Sequence, residues 1–181
     1  MHETLDNSPS AGTRTHVIDM ADALLRVGRR VGPVHAVIAH SLGAAATVIA
    51  LAEGLGAERA VLIAPPADLP RYARAFARTV GLSPRSAAGM VSRIDEILGG
   101  RDAIDLLRLA AGQRARTLVV HDPQDREVPF ADARALANAW PGASLLALPG
   151  AGHTRALRHP EVISRAVGFV ADAALPLALS A

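Results

Sequence analysis

Two hydrophobic periods alternate along the chain, and their order sets out the fold. From His16 the apolar residues Val17, Met20, Ala21, Leu24, Val27 and Val31 keep the three/four spacing of one buried helical face. Arg26, Arg29 and Arg30 fall in its last turns, where cations suit the helix dipole, and Gly32-Pro33 stops it. Residues 34–39 (VHAVIA) form a short run with β-branched members, predicted as a buried strand. Residues 42–52 are Ala-rich and predict a helix closed by Gly54 and Gly56. A second strand is predicted over 60–64, ended by Pro65-Pro66. Residues 70–111 predict mainly helix, with breaks near 81–84 and 99–100. A third strand over 117–121, a helix over 130–140, a fourth strand over 144–148 and a helix over 160–172 complete the pattern.

Strands alternating with helices predict an α/β fold, a parallel sheet of about four strands with flanking helices. The 52 residues from 65 to 116 far exceed one crossover, so they are expected to form a cap-like helical insertion in a single domain spanning 1–181. Residues 1–13 read as a polar lead without apolar periodicity, and no targeting segment is visible there, which suggests a cytoplasmic protein. Residues 31–52 lack Asp, Glu and Arg, yet Gly32-Pro33, His40-Ser41 and many alanines make a buried strand–turn–helix the better reading than a membrane span.

Composition narrows the chemistry. Half of the 181 residues are hydrophobic and a fifth are charged, as in globular proteins. There is no cysteine, which excludes a disulfide scaffold, a thiolate metal site and a cysteine nucleophile. All 19 basic residues are Arg, set against 17 acids, for a net charge of +2. These arginines are scattered among the acids, so the high isoelectric point does not mark a nucleic-acid partner. With 38 alanines and no lysine, the composition suggests a GC-rich, bacterial coding sequence.

The segment AHSLG, residues 39–43, joins a strand directly to a helix. A Ser on such a turn is held in a strained conformation at the strand's carboxyl end, and tight packing calls for small residues at Ala39 and Gly43. The first N–H of the following helix, that of Leu42, is placed to bind a developing oxyanion. Ser41 also fits an ordinary helix N-cap. A Ser nucleophile needs a base, and the base needs an orienting acid. Asp125 lies in HDPQDREVP, directly after the third strand; Asp122 competes but reads as a turn former beside Pro123. His153 ends PGAGH, directly after the fourth strand, and is the histidine expected at the correct sheet edge. His40 adjoins Ser41, and the turn is expected to send their side chains different ways.

Ser41, Asp125 and His153 arrive in that order, 84 and 28 residues apart. On these motifs the chain resembles the α/β-hydrolase family, from about His16 to Phe169, with Ala39 in place of the usual first Gly of the nucleophile elbow and Asp122 where a Gly is common. The resemblance implies a serine hydrolase acting on a small-molecule carboxylic ester or thioester through an acyl-enzyme, with no cofactor or metal. It also implies a helical cap at 65–116. The family carries four strands ahead of the nucleophile strand and a second oxyanion donor after an early strand. Here a polar lead and one helix precede Val34, so the chain resembles the C-terminal two-thirds of such an enzyme. The alternative is a non-catalytic or weakly active remnant, or a binding module that keeps the triad by descent. The expected consequence is an apolar edge at Val34, Ala36, Val37, Ile38 and Ala39, open to self-association.

On the predicted helix after Pro70, Arg71, Arg74 and Arg78 share one face, and Tyr72 and Phe76 another. That pattern fits a solvated Arg face better than a substrate cover.

Overall fold

The structure, a computed structural model, describes residues 16–97 and 104–171. The polar lead over 1–13 and the break at 99–100 lie outside them. Strands β1 (Val34–His40), β2 (Ala57–Ile63), β3 (Arg116–His121) and β4 (Ala143–Ala147) form one parallel sheet. Their spatial order is their chain order, so β1 and β4 are the edges among the described residues. The helices are α1 (Val17–Val31), α2 (Leu42–Ala52), α3 (Leu69–Thr79), α4 (Pro84–Ile97), α5 (Leu106–Ala111), α6 (Phe130–Ala139) and α7 (Pro160–Val170).

Side chains alternate across a strand, and β2 divides its own between two cores. Ala60 and Leu62 join α1, α2, α5 and α6, which stand side by side on one face. Val61 and Ile63 join Leu118, Val120 and the α7 residues Val162 and Ala166 on the other. Helix α2 is buried from Ala44 through Leu51, and its alanines let α1, α5 and the sheet approach closely. Trp140 is buried at the end of α6, and its Nε1–H donates to Ala115 O at 3.0 Å.

Two departures from the sequence pattern have physical causes. Strand β2 begins at Ala57 rather than residue 60, because Glu58 and Arg59 find polar partners at the sheet's rim. Arg59 is buried, and its guanidinium reaches Glu58 Oε2 at 3.4 Å and the His35 ring at 3.3 Å. Among the described residues between 65 and 116, the helices pack against different partners. Helices α3 and α4 pack on each other, whereas α5 joins the helix row through Leu106 and Ala110 and so serves as the crossover between β2 and β3. Helix α3 is tied to α6 by Asp132, a buried carboxylate that accepts from Arg71 and from Ala67 N at 2.9 Å. Arg71 keeps 44% of its side chain exposed while bonding Asp132, and Arg74 and Arg78 are exposed. Phe76 is also exposed, so the buried face of α3 is Leu69, Ala73 and Ala77 and not the side of Tyr72 and Phe76.

Candidate active site

The carboxyl ends of β1, β3 and β4 bring three predicted residues into one chain of hydrogen bonds. Ser41 follows β1 directly and has φ 52° and ψ −126°, a left-handed conformation costly for a residue with a Cβ. Its N–H donates to Ile63 O at 2.9 Å, which pins the turn to β2. Its hydroxyl makes no capping bond to α2, so Ser41 is not an ordinary N-cap. The hydroxyl instead lies 3.0 Å from His153 Nε2. His153 Nδ1 lies 2.7 Å from Asp125 Oδ2, so Nδ1 carries the proton and Nε2 turns its lone pair to Ser41. Both Ser41 and His153 are 9% exposed, and the Asp125 side chain is fully buried.

Asp125 is held as a carboxylate by its surroundings. Burial alone raises its proton affinity, but bonds from the His121 and His153 rings and from the Glu127 and Val128 N–H groups outweigh it. The carboxyl is held well below the usual carboxylate range. His153 shifts the other way. Burial works against its charged form, yet the Asp125 bond and charge, with Glu127 nearby, raise its pKa above the ordinary 6.5. Glu127 is half-exposed, with Oε2 3.9 Å from His153 Nε2.

Asp122, the competing acid, makes no bond to the imidazole in this arrangement. Its Oδ1 accepts from Gln124 N at 2.8 Å, the local turn expected of it. Its Oδ2 accepts from Gly152 N at 2.6 Å and so fastens the loop that carries His153. These bonds outweigh burial, and its pKa too is lowered. Gly150 and Gly152 both have positive φ, which lets that loop turn back over the sheet edge. The elbow is less crowded than its sequence suggests at one position, since a Cβ on Gly43 meets only Met20 Cε at an ordinary 3.9 Å.

Two histidines beyond the predicted site residues enter the site. His121 ends β3, and its Nε2–H is shared between Val128 O at 3.0 Å and Asp125 Oδ2 at 3.3 Å. Its place at the strand end, four residues before Asp125, is the signal that hinted at it. His40 does not diverge from the site as its neighbour's turn suggested. The strained backbone at Ser41 directs the two side chains to the same histidine, and the His40 ring lies 4.7 Å from the His153 ring. The N–H of Leu42 begins α2, where a first-turn amide has no partner within the helix.

Among the described residues no group of three or more His, Cys, Asp or Glu side chains is arranged to hold a metal ion, and no helix is long and apolar enough to cross a membrane. A cavity of about 780 Å³ lies among α3, α4 and α5, lined in part by Arg74, Val91 and Arg108, and none of Ser41, Asp125 or His153 lines it.

A model of the serine hydrolase family matches residues 15–158. No curated protein matches the sequence. Among solved structures, the chain is similar to the esterase domain of a Rhodothermus marinus protein, at 23% identity and TM-score 0.59, covering 88% of this chain and 66% of that one. It is similar to Est1E from Butyrivibrio proteoclasticus at 18% identity and TM-score 0.63, covering 87% and 72%. It is also similar to a meta-cleavage product hydrolase from Pseudomonas fluorescens, at 12% identity and TM-score 0.62, covering 93% and 76%. At these identities the likeness is one of fold, and the fold is that of the α/β-hydrolases.

Proposed function

The chain belongs to the serine hydrolase family, and on that premise we propose that it hydrolyses a carboxylic ester or thioester through Ser41, His153 and Asp125. The observation that carries the reading is the continuous path from Ser41 Oγ through the His153 ring to the buried Asp125 carboxylate, with bonds of 3.0 and 2.7 Å. Ser41 Oγ attacks the acyl carbon while His153 Nε2 takes the hydroxyl proton. The carbonyl electrons move onto oxygen, where the Leu42 N–H meets the charge. When the tetrahedral intermediate collapses, the C–O or C–S bond to the leaving group breaks and Nε2 returns the proton to that group. Water then repeats the sequence on the acyl-enzyme and releases the acid. Asp125 holds the imidazole's tautomer and balances the imidazolium charge.

Neighbours named as an esterase domain and as a meta-cleavage product hydrolase support acyl chemistry in general without selecting an acyl group. The test is labelling with a serine-reactive fluorophosphonate, read alongside turnover of a short p-nitrophenyl ester. Wild type should label at Ser41, and Ser41→Ala should lose both labelling and roughly 10³-fold or more of the turnover. Wild-type turnover persisting in Ser41→Ala would reject the nucleophile. A folded wild-type protein that never labels would favour the non-catalytic alternative.

A further inference from the structure

We infer that His40 is a positioning residue for His153, acting with Asp122 as a two-point clamp on the backbone either side of that imidazole. The loop preceding His153 contains Gly150 and Gly152, both at positive φ, and such a backbone does not hold a side chain in place by itself. Two side chains from outside the loop supply what it lacks. Asp122 Oδ2 accepts the Gly152 N–H at 2.6 Å, just before His153. His40 Nε2 donates to the carbonyl of His153 itself at 3.1 Å. The His40 ring also lies against the His153 ring, with centroids 4.7 Å apart and planes inclined at 51°, which restricts the swing of the imidazole.

The placement has a mechanical consequence. His40 is the last residue of β1, and Ser41 follows it. Nucleophile and base are therefore referenced to the same strand end, although 112 residues separate them in the chain. An error of about 1 Å between such groups costs on the order of a hundredfold in rate. His40 is also suited to stand beside an imidazolium. Burial, and then the charge of His153, lower its pKa, outweighing the bond to the His153 carbonyl and the charges of Asp125 and Glu127.

The inference rests on the reading of His153 as the base, and the test separates the two. His40→Gln keeps an N–H at the reach of Nε2; His40→Leu fills similar space without a donor. His40→Leu should lose roughly ten- to a hundredfold in kcat and in fluorophosphonate labelling rate. Its KM should change little, and His40→Gln should recover most of the loss. Equal losses in the two variants, or losses that follow their melting temperatures, would reduce His40 to packing and overturn the inference. An unreactive wild-type protein would overturn the esterase reading alone, because the imidazole ¹⁵N spectra decide His40 without turnover. Wild type and His40→Gln should hold His153 in the Nδ1–H tautomer while His40→Leu mixes the two tautomers. One unchanged tautomer in all three proteins would overturn the clamp.

Discussion

Replacing Asp125 by Asn should be far more damaging than the same change at Asp122, and the bonding of the two carboxylates says why. Asp125 accepts from four donors, the rings of His153 and His121 and the N–H groups of Glu127 and Val128. An Asn has one acceptor oxygen. If that oxygen keeps the two backbone N–H groups, its NH₂ faces His153 Nδ1. Donor then meets donor, and the imidazole must move its proton to Nε2, where it points at Ser41 and can no longer accept the hydroxyl proton. The expected loss in kcat is about 10⁴-fold, the order known for this substitution in a Ser-His-Asp triad. Asp122→Asn leaves one acceptor oxygen for two backbone N–H groups, so it gives up the bond from Gln124 N or from Gly152 N. Neither donor is the imidazole, so His153 keeps its tautomer and the loss should stay within about tenfold. The assay is p-nitrophenyl ester hydrolysis on both variants, with thermal melts to confirm folding. An inverted ranking, or an Asp125→Asn variant within tenfold of wild type, would refute the assignment of the acid.

Activity should rise with pH as His153 loses its proton, with a midpoint above the ordinary 6.5, because the Asp125 bond and charge outweigh burial. In linkage terms the stabilisation from that raised pKa is complete below the unfolded value and is lost as pH climbs through the folded one. The depressed Asp125 carboxyl stabilises above its unfolded value and loses that as pH falls towards the folded one. A rate flat from about pH 5 to 8 would remove His153 from its role. Ser41→Gly should melt higher than Ser41→Ala, since φ 52° costs about 1–3 kcal/mol for a residue with a Cβ; equal melting temperatures would show an unstrained turn. The outer edge of β1, where Ile38 is 54% exposed, is expected to pair with a second copy of the chain. Ile38→Lys should then reduce the sedimentation coefficient, and a wild-type protein already monodisperse as a monomer would reject the pairing.

Much of this architecture was written locally. Helix α1 lies where its apolar spacing predicts, but its buried face is Val17, Ala21 and Leu25, while Val27 and Val31, expected on that face, are exposed. Gly32-Pro33 ends it because a helix cannot run through that pair. Each strand is a short apolar run between turn formers, and strand–helix alternation leaves a parallel sheet as the simple arrangement. The same alternation places Ser41, Asp125 and His153 at strand ends on one edge, so their meeting could be anticipated from order alone. What lay beyond the sequence were contacts between segments distant in the chain. That Asp122 also fastens Gly152, that Asp132 on α6 holds Arg71 on α3, and that α5 stands in the helix row between α2 and α6 all depend on how crossovers stack. His40 is the sharpest case. Neighbours along an extended strand point to opposite faces, so the residue before Ser41 reads as turned away. The positive φ at Ser41 breaks that alternation, and only the folded loop returning from β4 puts the carbonyl and ring of His153 where His40 can reach them.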